Sequence, residues 1–318
     1  MASLIDVPVH FAHDCIGEAA EKVISAAKEG EIVVLENVRF HAGETENDPH
    51  FAQQLAAHAH VFVNDAFGSS HRVHASVAGV TAFMENSVSG FLLEKEITYL
   101  SDSVNDPKRP FVAILGGAKV SDKISVIQRL LTKVDTIIIG GGMAYTFLAT
   151  KGYSVGNSLL EEDKIPMAKA LMDQALEAGV NLMLPVDLVI ADDFSNDANR
   201  KVVAADGILD NWESLDIGPE TITLFSGAIT QAKMVLWNGP MGVFEMPNFA
   251  VGTQSIAQAL VTATEQGATT IIGGGDSASA IKQAGLSDQV SHVSTGGGAS
   301  LEYLEGKELP GLSHLTDK

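Results

Sequence analysis

Lys119 and Lys123 lie four residues apart in Gly116-Gly-Ala-Lys-Val-Ser-Asp-Lys, directly after the apolar run Phe111-Val-Ala-Ile-Leu. If a helix begins there, both ammonium groups project from one face of its first turns. Cations oppose the helix dipole at that end, so an anion held between them would compensate. Gly273-Gly-Gly-Asp276-Ser277 follows a second apolar run, Thr269-Thr-Ile-Ile. An Asp beside a glycine loop can hold Mg2+, or cap the helix that follows, or both. Trp237-Asn-Gly-Pro-Met-Gly-Val-Phe-Glu245 combines turn formers with apolar side chains and ends in a Glu. A base or ribose could lie on it.

Two arginines carry the chemistry of the first part. Within residues 1–88 the Lys and Arg residues are Lys22, Lys28, Arg39 and Arg72. The lysines fall on a surface helix. The arginines fall at strand ends among Gly, Asn and His, where a guanidinium can fork an anionic substrate. His71 and His74 can line the same pocket as Arg72. Eight of the ten histidines precede residue 75, without the His-Glu-x-x-His spacing of a zinc site. Cys15, the one cysteine, reads as a small buried hydrophobe in a reducing compartment.

The elements that must position these groups follow from a repeat. Apolar, β-rich runs end in glycine at Gly116, Gly140, Asn238-Gly239 and Gly273, and a helical stretch follows each. Runs apolar on both faces suit parallel strands. The spacing predicts helices over 165–178, from Pro219, and over 253–266. Alternating strands and helices give a doubly wound α/β sheet whose ligands sit at the strand carboxyl ends. Neither Gly-x4-Gly-Lys-Ser/Thr nor Gly-x-Gly-x-x-Gly occurs, so a P-loop and a dinucleotide fingerprint are both excluded.

The first part repeats the theme more weakly. Helices are expected over 18–28 and 48–59, strands at Ile32 and Val61, then an amphipathic helix over 90–104. Asn105-Asp-Pro-Lys-Arg-Pro110 reads as a linker. The composition is globular, with 46% hydrophobic and 19% charged residues. The net charge of −20 repels nucleic acid and anionic membrane. No run reaches membrane-spanning length and no secretory leader is visible, so a cytoplasmic protein is expected.

At these residues the chain resembles the phosphoglycerate kinases, from about Val7 to Leu312. The likeness rests on Glu36-Asn-Val-Arg-Phe-His, Asn64-Asp-Ala-Phe-Gly, His71-Arg-Val-His-Ala-Ser, Gly116-Gly-Ala-Lys-Val-Ser-Asp-Lys, Gly140-Gly-Gly-Met-Ala-Tyr-Thr-Phe, Trp237-Asn-Gly-Pro, Gly273-Gly-Gly-Asp and Ser294-Thr-Gly-Gly-Gly-Ala-Ser-Leu-Glu. The resemblance implies two Rossmann-like doubly wound parallel-sheet domains joined by a helix and closing on a hinge. It also implies reversible phosphoryl transfer from 1,3-bisphosphoglycerate to MgADP, giving 3-phosphoglycerate and MgATP.

By the same resemblance, Arg39, Arg72 and His71 would hold phosphoglycerate. Lys119 would neutralise the phosphoryl group in flight and Lys123 would bind nucleotide phosphate. Asp276 would carry Mg2+. Gly117, Gly274, Gly275, Ser277, Gly296, Gly297, Asn238, Pro240, Gly242 and Val243 would line the nucleotide. Glu245 would take the ribose, and Gly140, Gly141 and Leu215 would border adenine. Ser277 stands where the family usually has Thr, and Ser214 where many members have Gly. The family's opening Asp-x-Asn motif, an early Arg and a Ser-His-x-Gly-Arg segment are not in the chain. The expected division is therefore an incomplete first domain over 1–88, a helix and linker over 89–109, a nucleotide domain over 110–300 and a tail over 301–318 returning to the first domain. The second expectation is an inactive nucleotide-binding form. A monomer acting on small molecules is expected.

Overall fold

The computed structural model describes residues 2–316, without the side chains of residues 102–105. The chain forms two compact units. One contains residues up to Lys95 together with those from Glu308; the other runs from Glu96 to Lys307. The last two residues of the expected tail, 317–318, lie outside the described residues.

The larger unit is built on a six-stranded sheet. Its strands are β5 (Phe111–Leu115), β6 (Thr136–Ile139), β7 (Asn181–Met183), β11 (Met234–Asn238), β12 (Thr269–Gly273) and β13 (His292–Val293). They are parallel, in the order β13-β12-β11-β5-β6-β7. All five residues of β5 and of β11 are buried, which is why these segments read as unbroken apolar runs. The helices between them are α5 (Ile124–Leu130), α6 (Met143–Thr150), α7 (Ile165–Glu177), α8 (Pro219–Thr230), α9 (Val251–Glu265), α10 (Gly275–Gln283) and α11 (Gly298–Leu304). Trp237, Phe225, Ile256, Leu260 and Ile281 meet in one core beside the sheet. Burying such a side chain contributes roughly 1.5–3 kcal/mol.

From β5 the chain proceeds to β6 on one side, while β11 pairs on the other. The switch in strand order lies between β5 and β11, and the crevice at their carboxyl ends is where this topology places a ligand.

A three-stranded antiparallel sheet, with Asp187–Ala191 between Glu213–Ile217 and Arg200–Ala204, accompanies the parallel one. It comprises β8 (Asp187–Ala191), β9 (Arg200–Ala204) and β10 (Glu213–Ile217), with a register shift between Ser214 and Asp216. Sequence reasoning did not anticipate it. β9 is mostly exposed, and β10 buries the acidic Asp216, so neither carries the apolar run that marked the other strands.

The smaller unit pairs β1 (Val9–Phe11) with β2 (Ile32–Val34), and β3 (Val61–Asn64) with β4 (Asn86–Ser89), as two separate parallel ribbons. Its helices are α1 (Gly17–Ala26), α2 (Ala42–Thr45), α3 (Pro49–Ala56) and α12 (Pro310–Ser313). Asp48 caps α3 by accepting from Phe51 N at 2.8 Å. A small core gathers Cys15, Phe51, Ala52 and Ala75. Phe11, Val61 and Val63 on the ribbons stay exposed. Residues near the carboxyl end pack here: Asn64 Nδ2 donates to Gly311 O at 2.8 Å, and Thr316 N donates to Ser87 O at 2.7 Å. Helix α4 (Phe91–Asn105) carries the division between the units, at Lys95/Glu96.

Candidate active site

At the switch point the turns after β5 and β11 touch through their backbones. Gly116 N donates to Asn238 O at 3.0 Å, and Gly117 N to Pro240 O at 3.1 Å. A Cβ on Gly116 would stand 2.1 Å from Pro240 O, so only glycine permits this approach. Gly239 has φ +108, a conformation that side chains disfavour. Trp237 Nε1 secures the same turn by donating to Gly239 O at 2.7 Å.

Two adjoining recesses open here, sharing Gly117, Ala118 and Asp276. The first, about 350 Å3, is walled by Lys119, Asp122, Lys123, Asn238, Gly239, Gly274, Gly275, Ser277, Gly297 and Gly298. The second, about 450 Å3, is walled by Gly141, Gly142, Tyr145, Leu159, Phe194, Ser214, Leu215, Pro240, Gly242, Val243 and Glu245. The first is polar and cationic at one side; the second is largely apolar. That division suits phosphates in one and a base in the other.

The expected helix carrying both lysines is corrected by the structure. α5 begins at Ile124, so Lys119 stands on the preceding loop and Lys123 at the helix cap. Met143 N donates to Gly117 O at 3.0 Å, fixing the loop before it can wind into helix. Lys123 Nζ donates to Asn238 Oδ1. Burial pushes its ammonium down to about 8, against the pull of Asp276 and Asp122. Asn238 Nδ2 is buried with no partner, an unused donor in the cationic recess. Asp276 lies in the first turn of α10, and the cap is Gly274 with φ +88. Ser277 is fully buried and accepts from Gly239 N at 2.5 Å, tying α10 to the β11 turn.

Not every expected residue reaches a wall. Gly140 is buried against Met241, and Gly296 lies behind Gly297 with its N–H on Ser294 Oγ at 3.1 Å. Three supports were missed by sequence. Tyr145 Oη donates to Ser214 O at 2.8 Å, and Ser214 N donates to Ser158 Oγ at 2.9 Å. Asp216, beyond the bulge, accepts from Gly252 N at 2.7 Å and Ile217 N at 2.9 Å. Burial pushes its carboxyl up to about 7. No pattern of apolar spacing or glycine could have revealed these groups.

In the smaller unit Arg39 rides a 3-10 turn (Val38–Phe40), where Asn37 accepts from Arg39 N at 3.0 Å. Arg72 is exposed on the turn after β3, its N–H on Ser69 O at 3.0 Å. His71 Nδ1 and His74 Nδ1 are buried without hydrogen-bond partners. Burial, then Arg39, lowers the His74 pKa. Asp14, Cys15 and His41 bring possible ligand atoms within 4.8 Å of one another. Asp14 Oδ1 already accepts from Cys15 N and pairs with His41 Nε2, each at 2.7 Å, and burial pushes the thiol up to about 11.

The model of the family described as phosphoglycerate kinase matches residues 1–307. The chain belongs to the phosphoglycerate kinase family. It is 55% identical over 317 residues to the phosphoglycerate kinase of Chloroherpeton thalassium, covering all of this chain and 80% of that relative. It is 54% identical to phosphoglycerate kinase 3, cytosolic, of Arabidopsis thaliana, covering all of this chain and 79% of that one. The solved phosphoglycerate kinase of Coxiella burnetii aligns with a TM-score of 0.88 at 41% identity, over 98% of this chain and 78% of the other. The activity that goes with this membership is reversible phosphoryl transfer between 1,3-bisphosphoglycerate and ADP, a step of glycolysis. Its substrates are small molecules. The relatives support this reading over that of an inactive nucleotide-binding form. Among the described residues no helix is long and apolar enough to cross a membrane.

Proposed function

We propose that the recesses at the β5–β11 switch point hold the nucleotide and that the Arg39–Arg72 cluster holds phosphoglycerate. The carrying observation is the pair of glycine turns at the sheet's switch point, which opens main chain to phosphate beside the half-buried Lys123. Lys123, Asn238 Nδ2 and the amides of Gly274, Gly275 and Gly297 meet the phosphates. Leu215, Val243 and Gly141 border the base, and Glu245 takes the ribose hydroxyls. Asp276 is the carboxylate for Mg2+. One carboxylate fits this ion, which keeps waters and shares phosphate oxygens. When bound, the ion neutralises charge on the β- and γ-phosphates.

Arg39, Arg72 and His71 bind and orient phosphoglycerate. Lys119, exposed on its loop, neutralises charge on the phosphoryl group during transfer. Such transfer needs positioned cations rather than a covalent nucleophile. A cytoplasmic monomer with no nucleic-acid partner accords with the charge of −20 and with the cytosolic relative.

The test is steady-state phosphorylation of 3-phosphoglycerate by MgATP. Lys119→Ala is expected to lower kcat by about 10²–10³-fold while the KM for ATP changes little. A kcat within a few-fold of wild type would remove Lys119 from the reaction.

A further inference from the structure

Arg39 and Arg72 come from different stretches of chain, and one buried side chain connects the two. Glu44, on α2, is 1% exposed. Its Oε2 accepts from Ser76 N at 2.9 Å and its Oε1 from Ser76 Oγ at 2.7 Å. Its backbone carbonyl accepts from Ala75 N at 2.9 Å. The carboxylate thus grips the end of His71-Arg-Val-His-Ala-Ser from a residue five positions after Arg39. Oε1 also lies 4.0 Å from Arg39 Nε and 3.7 Å from His74 Nδ1.

A buried carboxylate is costly unless paired and hydrogen-bonded. Glu44 meets that cost with two donors from Ser76 and two neighbouring bases. In return it places one negative charge beside Arg39 and His74, at the point where the two segments meet. We infer that Glu44 is a positioning residue for the phosphoglycerate site, fixing the spacing of the Arg39 and Arg72 segments before substrate arrives. The inference rests on the assignment of phosphoglycerate to these arginines. Glu44 does not touch substrate; it acts by holding the groups that do, so that binding does not have to order them.

The experiment is calorimetric titration of the full chain with 3-phosphoglycerate, paired with steady-state kinetics, for Glu44→Gln, Ser76→Ala and Arg39→Ala. Glu44→Gln is expected to raise the Kd and KM for 3-phosphoglycerate by about tenfold or more, the scale of one lost charge-assisted hydrogen bond. Its kcat at saturating substrate should fall far less, and the KM for ATP should hold. Ser76→Ala, which keeps the charge, should raise the same Kd by a smaller factor. It also decides the matter if Glu44→Gln does not fold. A purely structural role predicts a lower melting temperature with Kd within twofold of wild type in both variants, while Arg39→Ala loses binding. That result overturns the inference. If Arg39→Ala binds 3-phosphoglycerate as wild type does, the site assignment fails first, and the inference falls with it.

Discussion

In the larger unit, the groups assigned to the nucleotide are mostly main chain: turns at Gly117, Gly239 and Gly274, held by the sheet beneath them. In the smaller unit, the groups assigned to phosphoglycerate are side chains on 3-10 turns and loops. A six-stranded sheet with a broad core carries the first set. Two separate ribbons and a core centred on Cys15, Phe51, Ala52 and Ala75 carry the second. Main chain at a sheet's switch point needs little further support, because strand pairing already fixes it. Side chains on loops need a dedicated partner, and Glu44 has the position to be one.

The sharpest way to break this comparison is to disturb the backbone contact. Gly116→Ala would drive a Cβ to 2.1 Å from Pro240 O and 2.5 Å from Gly239 O. Neither carbonyl is free to yield, so the turns must part. The expected result is a loss of about 3 kcal/mol of stability and of measurable nucleotide binding, read by denaturant melts and ADP titration. A variant that still binds ADP normally would show that the close approach does not shape the site.

A pH-dependent effect sharpens the contrast in charge. Asp216 is buried next to Leu215 of the apolar recess, and its carboxyl is raised to about 7 from 3.8. A carboxyl raised in the folded state keeps its proton where the unfolded chain has lost it. This group therefore costs nothing below about pH 4, becomes destabilising as pH rises towards 7, and levels off above. The full swing is at most about 4 kcal/mol. Asp216→Asn should shrink the drop in melting temperature between pH 5 and pH 8 relative to wild type. An unchanged drop would mean that Asp216 is ionised without penalty.

The legibility of the two sites in sequence follows the same division. The parallel strands were readable because burial on both faces leaves unbroken apolar runs, as in Phe111–Leu115. The turns at the switch point were readable because close backbone approach admits only glycine. The antiparallel strands were not, since mostly exposed β9 and acid-bearing β10 lack that signature. Glu44, Asp216 and Tyr145 were missed for a related reason. Each acts through partners distant in the chain, such as Ser76, Gly252 and Ser214, and residue type alone does not show a buried carboxylate from an exposed one. Lys119 and Lys123 stand next to the glycine turn, but the helix drawn through them begins only at Ile124.

The central claim is that each substrate has its own unit. Separate calorimetric titrations of MgADP and of 3-phosphoglycerate into wild type, Lys123→Ala and Arg39→Ala test it most directly. The account predicts a crossed pattern: Lys123→Ala weakens MgADP by about tenfold or more and leaves 3-phosphoglycerate alone, and Arg39→Ala does the reverse. Loss of both ligands in folded Lys123→Ala, or of MgADP in Arg39→Ala, would contradict it.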